Sequence, residues 1–303
     1  MKIRTMIRNE LSILLPVYNT RCLTMVERLK ELCDVVDGLQ YEIIAADDGS
    51  TDRDAVAFNR SIDRMEGCRY VVRAENRGAA ATRNFLADTS RYAWLLFLDC
   101  DMALPDDRFI IRYLEAPETG VVIGGIRTGG TADDARRNLR CAYERRAQER
   151  HTAEERRKRP YQAFRSVNFM AERGVMERCR FDERMRRYED VRFGRLLEES
   201  GVTVCHIDNA VVMDDFESNG RFVAKTEKDM RTLRDFEAEM RGYSRMIDVA
   251  EGLRRRHILW AVRMWHGLFG RVERRLLTGG KARLRLYDVY KLGCFVSYDG
   301  WKA

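Results

Sequence analysis

Short apolar runs alternate with amphipathic stretches through the first half of the chain. The runs LSILLP (11–16), YEIIAAD (41–47), RYVVR (69–73) and WLLFLD (94–99) read as strands, each closed by a polar turn. Between the first two, Leu23, Val26, Leu29, Leu32 and Cys33 recur at helical spacing, and a second helix is expected from Ala79 to Leu86, after Gly78. Strands separated by helices predict a parallel α/β sheet. Ligands of such open sheets sit beyond the carboxyl ends of the strands, so Tyr18 with Asn19, Asp47 with Asp48, and Asp99 with Asp101 are expected along one rim.

The second half is less regular. GVVIGGI (120–126) predicts a further strand, and the charge-dense segment 135–159 reads as a solvated helix with interleaved opposite charges. Val191, Phe193, Leu196 and Leu197 predict a short helix ending at Gly201, which puts Glu189 and Asp190 at its N-terminal end, where carboxylates are favoured. VTVCHID (202–208) follows as a strand. No repeat or glycine-serine linker divides the chain, and near residue 216 only the pattern changes. Farther on, Ile258, Val262, Trp265, Phe269, Val272 and Leu276 share one helical face, with Arg263, Arg271, Arg274 and Arg275 on the other. Two readings stand: a helix docked on the rest of the chain, or one lying in the interface of an anionic membrane.

Composition narrows the class. With 303 residues, 45% of them hydrophobic, the chain can form one large domain or one domain with an extension. The formal net charge of +7 is concentrated at the end: residues 251–303 hold 12 Lys and Arg against 4 Asp and Glu, and the preceding 250 are close to neutral. A basic tail on a near-neutral body points to a local anionic partner such as a membrane surface and argues against a nucleic-acid cleft. No run of about 18 apolar residues occurs, and the start MKIRTMIRNE lacks the apolar stretch of a secretory signal. A cytoplasmic protein is expected, peripheral at the inner face of the membrane if the tail binds lipid. The 8 cysteines are scattered without a Cys-x-x-Cys pair and read as free thiols.

Candidate chemistry starts at LLFLDCDM (95–102). A buried strand runs into Asp99 and Asp101, two like charges at the mouth of a core. In an extended segment, residues two apart point to the same side, so both carboxylates can converge on a divalent cation. A solvated turn is the plain alternative.

PVYN (16–19), DDGSTD (47–52), NRGAAATRN (76–84), LDCD (98–101) and YEDVRFGRLL (188–197), in that order, resemble a family 2 glycosyltransferase of the GT-A fold; HIDNAVV (206–212) and ESN (217–219) are similar to a bacterial glycan-synthesis branch. The resemblance implies a Rossmann-like, mostly parallel sheet flanked by helices with a helical C-terminal extension. It implies a catalytic domain over 1–215 (about 1–110 for the nucleotide, 111–215 for the acceptor) and a basic extension over 216–303. The implied activity is inverting transfer from a nucleotide-diphosphate sugar, first of all a UDP-sugar, to a hydroxyl of a glycan or lipid-linked saccharide, with Mn²⁺ or Mg²⁺. By the same resemblance Asp101 ligates the metal, while Asp99 contacts the ribose or orients the metal's waters. Asp48 accepts from the uracil imide, Asp47 holds the loop, Tyr18 packs on the base, and Pro16 shapes the turn. Gly49 leaves room for the nucleotide, and Arg83 reaches the nucleotide or diphosphate unless it is a surface ion-pair partner. Asp190, preferred over Glu189, is the catalytic base. Two rivals remain: a catalytically impaired nucleotide-sugar-binding relative, and a sugar nucleotidyltransferase, whose glycine- and arginine-rich phosphate loop LLPVYNTRC does not supply. One departure stands out. Met213 falls where this branch usually has a metal-binding histidine, and a thioether is a poor ligand for Mg²⁺ or Mn²⁺. His206 reads as a structural strand histidine, and Asp214 or water is left to fill the position.

Overall fold

The strands are β1 (Glu10–Val17), β2 (Gln40–Asp47), β3 (Cys68–Val72), β4 (Trp94–Leu98), β5 (Val121–Ile123), β6 (Ile126–Thr128), β7 (Asn168–Glu172), β8 (Val204–His206) and β9 (Val211–Met213) in the computed structural model, which describes residues 8–298. The first seven residues, part of the segment in which no export signal was read, and residues 299–303 of the basic tail lie outside the described residues. Seven strands form one sheet in the order β3-β2-β1-β4-β7-β5-β8, and β6 pairs with β9. Pairing is parallel between β3 and β2, β2 and β1, β1 and β4, and β5 and β8; β7 runs antiparallel to both its neighbours. This is the mostly parallel, helix-flanked sheet that the family resemblance implied; the pattern alone predicted a parallel one.

Both faces of the sheet are covered. Ile13 and Leu15 pack on one side with Val26, Leu29, Phe109 and Tyr113, while Leu14 packs on the other with Ile44, Phe97 and Phe169. A strand buried on both faces reads as an unbroken apolar run, which is why LSILLP shows no alternation. The chain passes from β1 outward through β2 to β3, then returns to the other side of β1 as β4. That reversal is a topological switch point. Pairing between β1 and β4 ends at Leu14 and Phe97. Pro16, which has no N–H for a ladder, falls beyond that point, and the two strand ends part to leave a crevice.

Contacts divide the chain into two compact units. One comprises Met1–Arg127 and Arg150–Met213 and holds the seven-stranded sheet; the other comprises Thr128–Glu149 and Asp214–Ala303 and is built of helices. Residues 128–149, assigned in the sequence to the acceptor half of the catalytic domain, thus group with the C-terminal helices. The reason is local: Leu139 is buried in a cluster with Phe222, Val223, Leu277, Tyr287 and Tyr290, and its N–H donates to Asn219 Oδ1 at 2.7 Å.

Two expectations are corrected, and one strand is added. The segment 135–159 is not one solvated helix but three α-helical pieces, Ala132–Arg137, Leu139–Ala147 and Ala153–Arg157, with a 3-10 turn at Gln148–His151. Asn138 and Thr152 are extended and cap the pieces that follow, and Leu139, Cys141, Ala142 and Arg156 are buried. GVVIGGI splits into β5 and β6 around Gly125, whose φ of +92° only glycine adopts readily. The buried strand β7 was not anticipated: NFMAE is short and lies between charged segments, with no period to mark it. Among the described residues, no helix is long and apolar enough to cross a membrane.

Candidate functional site

The loops after β1, β2 and β4 meet at the crevice. Asn19 adopts the left-handed conformation with φ +52°; its Oδ1 accepts from the N–H groups of Thr51 and Asp52 at 2.8 and 2.9 Å, and its own N–H donates to Ser50 Oγ. One side chain therefore ties the loop after β1 to the loop after β2. Asp47 is buried, with Oδ1 accepting from Ser50 N–H and Oδ2 from the Tyr70 hydroxyl, both at 2.7 Å. Asp48 accepts from Arg73 Nη1 at 2.8 Å, Arg77 N–H at 3.0 Å and Gly78 N–H at 2.7 Å, which holds the entrance to the helix Ala79–Thr89. Gly49, at φ +69°, packs closely on its own chain: a Cβ there would lie 2.6 Å from the carbonyl carbon of Glu75. A cavity of about 280 Å³ remains, lined among others by Pro16, Tyr18, Asp48, Arg83, Asp99 and Asp101. Tyr18 is 47% exposed at its edge.

Arg83 is the electrostatic centre. It projects from the helix Ala79–Thr89, is only 3% exposed, and is not a surface ion-pair partner. Nη2 donates to Asp99 Oδ1 at 2.7 Å and Nη1 to Glu189 Oε1 at 3.1 Å. Burial alone would weaken its hold on a proton, and Asp99 and Glu189 more than offset this. Burial pushes the Glu189 carboxyl above its ordinary value, while Arg83 pulls it back. The three side chains join the rim after β4 to the start of the helix Glu189–Glu199, although residues 99 and 189 are far apart in sequence.

The model of the family described as "Glycosyl transferase family 2" matches residues 12–178, more than half of the chain. The chain belongs to glycosyl transferase family 2. An uncharacterized glycosyltransferase of Haemophilus influenzae is 32% identical over 98 residues, covering 32% of this chain and 38% of the relative. The chain thus spans well under half of that relative's length. Two solved structures share the fold: a mannosyltransferase from Pyrobaculum calidifontis in complex with GDP-Man and Mn²⁺ (14% identity, TM-score 0.51, 96% of this chain and 70% of that one) and S. aureus TarS 1-349 in complex with UDP-GlcNAc (13% identity, TM-score 0.51, 95% and 90%). The fold of this family 2 chain is GT-A.

The helix Glu189–Glu199 starts from Tyr188, a non-glycine residue held at φ +61°. Asp190 stands in its first turn, where the helix dipole favours an anion. Its Oδ1 accepts from Val191 N–H at 2.8 Å, and its Oδ2 lies 3.8 Å from Arg165 Nη1. Glu189 turns instead toward Arg83. The two neighbouring carboxylates thus face different partners.

Asp99 and Asp101 are hard oxygen donors of the type that Mg²⁺ and Mn²⁺ prefer. Among the described residues, no three His, Cys, Asp or Glu side chains gather closely enough to hold a metal by themselves. Ala103 and Val212 exchange both backbone hydrogen bonds at 2.8 Å, which lays β9 along the segment after Asp101 and puts Met213 next in register, buried. The donor set therefore fits a cation whose shell is completed by ligand oxygens. His206 is buried on β8: Nδ1 accepts from Arg156 Nε at 3.1 Å, and Nε2 meets Pro160 O at 2.9 Å. Sequence reasoning missed Arg73, which stands at the end of a predicted strand, and Arg165, which lies just beyond the charged segment; nothing local distinguishes either from neighbouring arginines.

Proposed function

We propose that this family 2 chain transfers a sugar, with inversion, from a UDP-sugar to a hydroxyl of a glycan or lipid-linked saccharide. The observation that carries the reading is the Asp99–Arg83–Glu189 chain of ion pairs, which couples the cavity at the switch point to the helix turn bearing Asp190. In this reading residues 1–110 handle the donor and the later strands of the same unit handle the acceptor. Tyr18 offers an exposed ring for the base, and Asp48, already anchored by three donors, retains lone pairs for an imide N–H. Asp101, with Asp99, would hold Mn²⁺ or Mg²⁺. When bound, such a cation supplies charge neutralisation for the leaving diphosphate. Asp190 takes the proton from the acceptor hydroxyl as the new bond forms at the anomeric carbon and the bond to the diphosphate breaks on the opposite face. The TarS complex supports a UDP-sugar donor, and the Pyrobaculum complex supports a divalent metal.

A peripheral contact with an anionic bilayer belongs to the same reading. On the helix Leu259–Leu277, Trp260, Met264, Trp265, Leu268, Phe269 and Val272 are exposed, and Arg271 and Arg275 are exposed beside them.

The test is Asp190→Asn. Turnover should fall roughly 10²-fold or more while UDP affinity stays within twofold of wild type. A chain that only binds nucleotide sugars would show no metal-dependent UDP release to lose. A variant with normal turnover and an early melt would make Asp190 a helix-capping residue only.

A further inference from the structure

A second cavity in the same unit, of about 330 Å³, lies between Gly125 and Ile126 on one side and the segment 151–165 on the other. Its walls are strongly cationic. His151, Arg156, Lys158, Arg159 and Arg165 line it, and among the described residues Glu155 is its one acidic wall residue. Lys158 is neutralised by Glu155. Arg156 is only 5% exposed and donates to the carbonyl oxygens of His151, Gly124 and Ile207 and to His206 Nδ1; among the described residues no carboxylate pairs with it. Neutral acceptors satisfy its N–H groups without cancelling its charge. A buried cation without an ion-pair partner is costly, so its field favours an anion in the cavity. Arg159 is exposed and likewise has no carboxylate partner among the described residues. Arg165 donates to Phe164 O at 2.8 Å and meets a carboxylate only at 3.8 Å, and that carboxylate is Asp190.

The last contact places the cavity next to the proposed base. The segment is also pressed directly on the helix that bears Asp190: a Cβ on Gly194 would lie 2.4 Å from Tyr161 O, so only glycine permits the approach. We propose that this cavity is the acceptor subsite and selects an acceptor carrying an oxyanion, a phosphate ester or a uronate carboxylate, which Arg159 and Arg165 hold in the field of Arg156 while its hydroxyl is presented to Asp190. The proposal rests on the glycosyltransferase reading above. A cavity of this size suits one saccharide unit, and guanidinium groups match the planar or forked geometry of oxyanions.

The experiment titrates glucose 6-phosphate, glucuronate and glucose by calorimetry into the full chain saturated with UDP and Mg²⁺, so that the first cavity is already filled. At least one of the two anions should bind about tenfold or more tightly than glucose, and the identity of that anion names the class. Arg159→Glu should abolish the preference, Arg159→Lys should keep most of it, and UDP affinity should be unchanged in both. Equal binding of the three compounds, no anion binding below about 10 mM, or a preference that survives Arg159→Glu would each overturn the proposal. Failure of wild type to bind UDP at all would instead count against the glycosyltransferase reading, so the two failures are distinguishable.

Discussion

Replacing Arg83 by methionine keeps most of the side chain's volume and removes its charge. Two carboxylates, Asp99 at 2.7 Å and Glu189 at 3.1 Å, then lose the cation that holds them, with Asp190 adding to the negative field on Glu189. Breaking a buried ion pair from one side costs about 3–5 kcal/mol. The loss should depend on pH. Glu189 in the folded chain already titrates above its ordinary value of 4.5 because of burial, and Arg83 is what restrains the shift. Without Arg83 the folded-state value rises further. For an acid whose folded value exceeds its unfolded one, the folded state binds more protons between the two, so stability falls as pH rises through that interval. Arg83→Met should therefore be more destabilised at pH 8 than at pH 5, by about 1.4 kcal/mol for each unit that Glu189 moves. Urea unfolding of wild type and variant at both pH values measures this directly. A deficit below about 1 kcal/mol, or one that is equal at the two pH values, would refute the view that Arg83 neutralises this pair.

Two further outcomes follow from the same geometry. Asp101→Ala should abolish the Mn²⁺-dependent part of UDP binding in calorimetry without lowering the melting temperature, because Asp101 is exposed at the rim; unchanged metal-dependent affinity would remove it from the metal site. Burial depresses His206 from its ordinary 6.5 to about 4, so it contributes stability that is complete above pH 6.5 and lost as pH falls toward 4, up to about 3 kcal/mol. Chemical denaturation across pH 4–7 should show a shallower slope in His206→Asn than in wild type, and parallel slopes would contradict it.

The half of the fold that positions the first cavity was legible because β1, β2 and β4 are buried on both faces and end in polar turns, a pattern with few alternatives at this length. What could not be read has physical causes. The strand β7 is five residues long with four buried in succession, so neither period nor length separates it from a helix fragment. The charged segment around residue 150 looks solvated because its charges alternate, yet Arg156 is buried among carbonyl oxygens that lie about 30 and 50 residues away in the chain. Gly49 was assigned to the ligand because a glycine in a site loop suggests close approach. The backbone of Glu75 and Asn76 also approaches it closely, a contact that only tertiary structure reveals.

The two carboxylates after β4 show where local reading stops. From sequence, Asp99 and Asp101 call for a cation between them, and a metal answers both at once. In the folded chain Asp99 already has a cation, the buried guanidinium of Arg83, which also holds Glu189. The charge problem is thus divided: the protein compensates Asp99 internally with a residue that cannot lose its proton at any working pH. Asp101 is exposed at the cavity edge, where the proposed function has it meet the cation that accompanies a diphosphate. A metal held mainly through one protein carboxylate and ligand oxygens needs no histidine on β9, and Met213 can then be a buried apolar residue without cost to that arrangement.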